Sequence, residues 1–241
     1  MSTVAVVIPA YNERATIREI AARSLAQHPL VIVVDDGSTD GTAEALEGLP
    51  VVLLRNESNR GKAGSLRRGA DEAMRRGAVA IVTLDGDGQH CPEDIPRLLD
   101  AWRETRRCIA VGSRLHAREA IPAARYRANR FANFWISWAA GQAIADTQSG
   151  FRVYPAALFA RMRVPYGPAE SFVFESEILI EAARAGVRVV CVPIDAVYSA
   201  RARPSHFRPI VDIARIVRMV AWRLITRGLY LQGLVRSLRS R

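Results

Sequence analysis

The sequence predicts an α/β fold: a mostly parallel sheet flanked by helices, with an amphipathic helix at the C-terminus. Three observations carry that expectation. Short β-branched runs alternate with helical patterns through the first half of the chain, as in successive βαβ units. The run LVIVVDD, residues 30–36, is too uniformly apolar for a strand exposed on either face. Beyond residue 208, apolar residues recur every three or four positions among arginines.

The elements follow in order. VAVVIPA (residues 4–10) reads as the first strand, and Ile17, Ile20, Ala21 and Leu25 recur behind it at helical spacing. After the second strand, GSTDGTAEAL turns and opens a helix that Ser38, Thr39 or Asp40 can cap. VVLLRN (51–56) is a third strand, GSLRRGADEAMRRG a helix, and AVAIVTLD (78–85) a fourth strand. PEDIPRLLDAW is a helix with Pro at its start, and CIAVGSR (108–114) a fifth strand. A long helical stretch, ARYRANRFANFWISWAAGQAI, precedes DTQSGFRVYP; a helix, ESFVFESEILIEAARAG, and a strand, VRVVCVPI, lead into the basic tail. No repeat or Gly/Ser-rich hinge interrupts this order, so one domain over residues 1–207 with an appendage at 208–241 is the economical division.

With 241 residues and 49% apolar content, the chain can bury a sizeable core. Its 34 Lys and Arg against 24 Asp and Glu leave a formal charge of +10, which favours an anionic partner: a nucleotide, a phospholipid surface or nucleic acid. Dispersed arginines without a base-stacking motif argue against nucleic acid. Cys91, Cys108 and Cys191 are widely spaced and form no CxxC pair, and no signal peptide is recognisable; reduced thiols in a cytoplasmic protein are expected. No run of roughly 18 uncharged apolar residues suggests a spanning helix.

Ligands of an open parallel sheet bind beyond the carboxyl ends of its strands. Three strands here end in polar clusters: PAYNE (9–13), DDGS (35–38) and DGDGQH (85–90). Pro9 fixes a turn, Tyr11 supplies a ring and Glu13 a carboxylate. Asp36 can accept hydrogen bonds from a nucleobase or ribose, or, with Asp35, merely open a turn. NRGKAGSLRRG (59–69) lacks P-loop spacing, yet its N–H groups and Lys62 suit phosphates at a helix N-terminus as well as simple helix entry. Asp85 and Asp87 share a face in an extended segment and repel unless a positive charge lies between them. Asp87 and Gln89 are hard oxygen ligands suited to Mg²⁺ or Mn²⁺; Asp85 can reach a sugar or ribose, and Gly86 lets ligand and backbone approach closely.

VVIPAYNE, VVDDGSTDGT, NRGKAGSLRRG, LDGDGQHCPEDIPRLL, GSR and DTQSGFRVY, in this order over most of residues 4–154, resemble family 2 glycosyltransferases of the GT-A fold. The subgroup they most resemble is that of dolichyl-phosphate mannose synthase-like enzymes, which glycosylate polyprenyl phosphates. The resemblance implies transfer, with inversion, from a nucleoside-diphosphate sugar (GDP or UDP) to a polyprenyl phosphate or other lipid acceptor, with Mg²⁺ or Mn²⁺. It places Pro9, Tyr11, Glu13 and Asp36 on base and ribose, and Asp85, Asp87 and Gln89 on metal and sugar nucleotide. It places Arg114 at the active site, Arg125 and Asn129 on the acceptor phosphate, and Asp146, Gln148 and Ser149 along the sugar pocket. RARPSHF (201–207) is similar to a basic loop that closes over the diphosphate; Arg201 and Arg203 are its basic residues, and His206 stands where the family commonly has lysine. Glu175 follows an aromatic run where the family often has an acid that contacts sugar. An ionised phosphate acceptor needs no general base, which agrees with the absence of a conspicuous catalytic histidine; His28, His90, His116 and His206 read as solvated or structural.

In the tail, Ile210, Ile213, Val217, Val220 and Leu224 form a stripe opposite Arg215, Arg218, Arg223 and Arg227. Two readings stand: a surface helix packed on the domain, or an interfacial helix on an anionic membrane at the cytoplasmic face, with Trp222 and Tyr230 at headgroup depth. Two other functions compete. LDGDGQ resembles the DxDG motif of haloacid-dehalogenase-type phosphatases, but that family carries it on the first strand with Thr or Val following. A non-catalytic membrane-surface binding module is the other, against which the intact DxD and Arg114 argue.

Overall fold

Side-chain alternation along the first strand decides the layering. Val4, Val6 and Ile8 face one apolar cluster and Ala5 and Val7 the other, so the sheet is covered on both faces. The computed structural model describes residues 3–105, 108–114, 123–161, 171–195 and 209–239, without the side chains of 123–125, 171–172 and 209–213. Its elements are β1 (Thr3–Ala10), α1 (Ile17–Gln27), β2 (Val31–Asp35), β3 (Val52–Arg55), α2 (Gly61–Arg75), β4 (Ala78–Thr83), α3 (Ile95–Glu104), β5 (Cys108–Ser113), α4 (Ala123–Ala140), β6 (Arg152–Pro155), α5 (Ala156–Arg161), α6 (Ser171–Arg184), β7 (Arg188–Pro193), α7 (Pro209–Ile225) and α8 (Leu231–Arg239).

The sheet order is β3-β2-β1-β4-β6-β5-β7. All neighbours are parallel except β6, which runs antiparallel to β4 and β5. Helices α1 and α3 cover one face, through Ile17, Ile20, Ile95 and Leu98. Helices α2, α4, α5, α6 and α7 cover the other, through Leu66, Ile136, Phe159, Ile178 and Val220.

Three expectations need correction. No α-helix follows GSTDGT; only a 3₁₀ turn forms, Glu44–Leu46. Asp40 instead closes a local turn by accepting from the Thr42 N–H and hydroxyl at 3.0 and 2.5 Å, and the Ser38 hydroxyl accepts from the Asn12 N–H at 2.8 Å. The stretch FRVYP contains a strand, β6, and ALFA lies in a short helix, α5. The amphipathic C-terminal helix is present but breaks at residues 226–230, where Leu229 and Tyr230 adopt φ of 63° and 43°.

The tail also packs differently from the expected stripe. Ile216, Val220 and Leu224 are buried, whereas Val217 is 48% exposed. Arg223 turns inward to pair with Glu177 and with Glu181, the latter at 2.7 Å. Tyr230 is half-buried rather than outermost: it wedges against Gly141 and Gly233, and its carbonyl accepts from Trp138 Nε1 at 3.2 Å. A Cβ at Gly233 would collide with the Tyr230 ring, which explains glycine there.

Candidate active site

Parallel register brings the polar strand ends together. Ala10 pairs with Asp35, and Val7 with Thr83, so the segments after β1, β2 and β4 leave the sheet at one edge. Short bonds stitch them. The Glu13 N–H donates to Thr42 Oγ1 at 2.8 Å, the Thr39 N–H to Asn12 Oδ1 at 2.9 Å, and Thr16 Oγ1 to the Gly86 carbonyl at 2.6 Å. Pro9 and Tyr11 are half-buried at this edge. The Glu13 carboxylate lies 3.5 Å from Thr16 Oγ1, toward α1. Asp36 does more than open a turn: it is buried, and its Oδ1 accepts from Asn56 Nδ2 at 2.6 Å and the Arg60 N–H at 2.9 Å.

At the centre of the edge, Lys62 bridges two carboxylates, Asp85 at 2.6 Å and Glu175 at 2.8 Å. Burial opposes the ammonium, but the two acids outweigh it and raise its pKa. Lys62 is thus held by protein carboxylates rather than turned freely toward a phosphate. The same pairing lowers the Asp85 pKa against the cost of burial. Only glycine fits alongside: a Cβ at Gly150 would stand 2.5 Å from Asp85 Oδ2 and 2.7 Å from Lys62 Nζ. Asp87 is the opposite case, its pKa raised by burial and then by the charge of Asp85. Its Oδ1 accepts from the Gln89 N–H at 3.0 Å. His90, next in the chain, is buried against Phe151 with both ring nitrogens unpartnered among the described residues, and burial followed by Arg114 pushes its pKa down to about 3. It is structural, not solvated.

The far wall is built by the loop before β6. Asp146, wholly buried, accepts from the Arg114 N–H at 3.3 Å and the Gln148 N–H at 3.2 Å, with Arg114 Nε at 3.8 Å. Gln148 donates to Thr147 Oγ1 at 3.0 Å, and the Ser149 hydroxyl, also buried, accepts from the Phe151 N–H at 3.4 Å. Two residues that sequence reasoning did not single out hold this loop. Asn133 accepts from Thr147 N–H and Oγ1 at 2.9 and 2.7 Å and donates to the Ala145 carbonyl. Arg152, an arginine between Phe151 and Val153 in an otherwise apolar strand, was the only signal in the sequence for the second. Asn129 lies half-buried on α4, one turn before Asn133 and on its face of the helix. Arg125 belongs to the same helix, with its side chain outside the described residues; Arg201, Arg203 and His206 lie outside them altogether.

The acidic strand ends and the Lys62 bridge thus form a polar site at the carboxyl edge of a parallel sheet, where ligands of open α/β folds bind. The profile of Glycosyl transferase family 2 matches residues 5–163, and the chain belongs to that family. It is 31% identical over 200 residues to a polyprenol monophosphomannose synthase of Mycolicibacterium smegmatis, covering 78% of this chain and 75% of that one. Over 236 residues it is 29% identical to an undecaprenyl-phosphate mannosyltransferase of Micrococcus luteus, with 92% and 94% covered. The fold is similar to that of glucosyl-3-phosphoglycerate synthase from Mycobacterium tuberculosis in complex with Mn²⁺, UDP and phosphoglyceric acid. That match has a TM-score of 0.64 at 21% identity and covers 94% of this chain and 78% of the other. The chain therefore has the GT-A architecture and is a glycosyltransferase; phosphatase chemistry on the DxDG pattern is set aside.

Proposed function

We propose that the protein transfers a sugar from a nucleoside diphosphate, with inversion at the anomeric carbon, to a polyprenyl phosphate at an anionic membrane surface. The observation that carries the reading is the Asp85–Lys62–Glu175 bridge beside Asp87, whose charged form burial and Asp85 disfavour, at the edge where three parallel strands end. The two relatives named for polyprenyl acceptors support the lipid. In the reaction, a phosphate oxygen of the acceptor attacks the anomeric carbon as the bond to the diphosphate breaks, and the electron pair leaves with the nucleoside diphosphate. In-line placement and stabilisation of the leaving group suffice, because the nucleophile is already ionised.

The donor set fits a divalent cation. Asp87 is a half-buried carboxylate whose pKa burial and Asp85 raise more than the Gln89 N–H, Lys62 and Arg114 lower it, and Mg²⁺ is commonly held by one or two carboxylates plus substrate phosphates. Asp87 with Gln89 would hold Mg²⁺ or Mn²⁺, which when bound neutralises charge on the leaving diphosphate. Pro9, Tyr11, Glu13 and Asp36 frame the base and ribose, and Gln148 and Glu175 face the sugar from a wall that Arg114 and the buried Asp146 and Ser149 support; Gly86, expected to admit the donor, is instead buried against the Pro9 carbonyl and Ile17 and serves close packing of the strand ends. Arg125 and Asn129 receive the acceptor phosphate, and Arg201, Arg203 and His206 close over the diphosphate.

Residues 1–207 serve as the transferase domain and 208–241 as a basic appendage that docks on lipid at the cytoplasmic face. Among the described residues no helix is long and apolar enough to cross a membrane. The appendage nevertheless displays Val217, Trp222, Ile225, Leu229, Leu231, Val235 and Leu238, each at least 45% exposed, among the exposed arginines Arg218, Arg227 and Arg239. An apolar surface in a basic field suits anionic lipid and repels a second copy of itself.

The test supplies undecaprenyl phosphate with UDP-glucose, UDP-N-acetylglucosamine or GDP-mannose in Mg²⁺ or Mn²⁺. One donor should release its nucleoside diphosphate only when the lipid is present. Release independent of lipid, or none with any donor, contradicts the reading. In parallel, Trp222→Ser/Leu238→Ser should weaken binding to phosphatidylglycerol vesicles, with the remainder falling as salt rises.

A further inference from the structure

Arg152 is wholly buried at the start of β6 and makes no direct ion pair among the described residues; burial opposes its charge, and Tyr154, Glu175 and Asp146 near it more than offset that and raise its pKa. Its guanidinium is spent on neutral oxygens. Nε donates to the Ser149 carbonyl at 2.7 Å, Nη2 to the Thr147 carbonyl at 2.9 Å, and Nη1 to the Glu175 carbonyl at 2.7 Å and the Tyr154 hydroxyl at 2.9 Å. Burying a cation without a direct ion pair is costly, and the residues in register with it on the flanking strands, Thr83 and Val111, are uncharged. A core alone would not need the charge.

The carbonyls it binds belong to separate segments. Thr147 and Ser149 lie in the loop before β6, whereas Glu175 lies on α6, 23 residues from Arg152. Each segment also reaches the centre of the site: the loop through Gly150, packed on Asp85 and Lys62, and α6 through the Glu175 carboxylate on Lys62. A planar fork of five donors can hold several carbonyls at once, whereas the donors of a lysine radiate from one atom.

We propose that Arg152 is a positioning residue for transfer. It locks the loop and α6 into one wall, so that Gln148 and the Glu175 carboxylate meet the donor sugar in a fixed geometry while the nucleotide side is held independently. The inference rests on the reading of this wall as the sugar side of the site.

The test compares Arg152→Lys and Tyr154→Phe with Glu175→Gln and Gln148→Ala. The donor is whichever of the three nucleotide sugars the wild-type protein uses, and calorimetry gives Kd for that donor and for its free nucleoside diphosphate. Arg152→Lys should keep the Kd of the free diphosphate, lose the sugar's share of donor affinity, and lower kcat per folded molecule on the order of 100-fold. Tyr154→Phe, which removes a single anchor, should shift the same affinity ratio in the same direction by less. A lowered Tm with wild-type ratio and kcat in both variants would mean that Arg152 only supports the fold, and overturns the inference. If Glu175→Gln and Gln148→Ala lose sugar affinity and kcat while both other variants keep them, the inference falls and the site reading stands. If all four behave as wild type, the wall is not the sugar side and both fall.

Discussion

The two walls of the site are assembled differently. On the side proposed to hold the nucleotide, strand register and contacts between adjacent loops place Pro9, Asp36 and Asp87 at the tips of parallel strands. On the side proposed to hold the sugar, Asp146, Gln148 and Glu175 depend on Asn133 and Arg152, which reach across from α4 and from the antiparallel β6. The first wall is carried by strand register with bonds between adjacent loops, the second by buried polar bonds that cross between separate elements. Substitutions on the nucleotide side should therefore separate activity from stability, and those on the sugar side should not.

The sharpest separation is expected at Asp87→Asn. Transfer should fall at least about 1000-fold, as for loss of a group that stabilises a leaving diphosphate. Because burial and Asp85 disfavour the charged form of Asp87, Tm at pH 7 should hold or rise. A lowered Tm in a thermal-shift assay would break the comparison. Lys62 joins the two walls, so Lys62→Met should cost both functions. It leaves Asp85 and Glu175 buried without their cation, a loss of about 3 kcal/mol in urea unfolding. Adding Glu175→Gln to Lys62→Met should recover part of that stability and none of the activity.

Asn133→Ala strips the loop of its bonds to Thr147 and Ala145 and should destabilise by about 2 kcal/mol. Unlike Asp87→Asn it should lower kcat and Tm together; a stable, inactive variant would erase the distinction between the walls. The smallest effect concerns pH. His90 titrates near 6.5 when unfolded and near 3 when folded, so its contribution is present above pH 6.5 and is lost as pH falls toward 3. Between pH 6.5 and 5 the loss amounts to roughly 1–2 kcal/mol. His90→Phe, which keeps an aromatic ring against Phe151, should flatten that slope; an unchanged slope in urea titrations assigns it to other groups.

The same difference governs what could be read from the sequence. PAYNE, DDGS and DGDGQ announced their side because a strand end fixes its own last residues, and local spacing carries the information. A parallel α/β sheet followed from βαβ alternation, and the GT-A expectation from the resemblance of those motifs to family 2 glycosyltransferases. The wall formed by Arg152 was hidden, since a bond from β6 to α6 leaves no local pattern, and the four-residue β6 was concealed inside a polar motif. GSTDGT suggested a helix because capping residues stand at the right spacing, but Asp40 spends its carboxylate on Thr42. In the tail, periodicity gave a helix without its rotation: Ile216 rather than Val217 faces inward, and the break at Leu229 brings Tyr230 onto the domain. Truncation at residue 208 would accordingly remove core as well as surface, so surface substitutions such as Trp222→Ser/Leu238→Ser are the cleaner probe of membrane docking.

The central claim is that the sugar is joined to a polyprenyl phosphate. Mass spectrometry of the lipid phase, after incubation of the protein with undecaprenyl phosphate, Mn²⁺ and each nucleotide sugar, reads that bond directly. The account predicts one new lipid species, heavier by a single glycosyl residue, formed with one donor and absent with Asp87→Asn. A lipid phase of unchanged mass, while the nucleoside diphosphate accumulates or the donor stays intact, would contradict it.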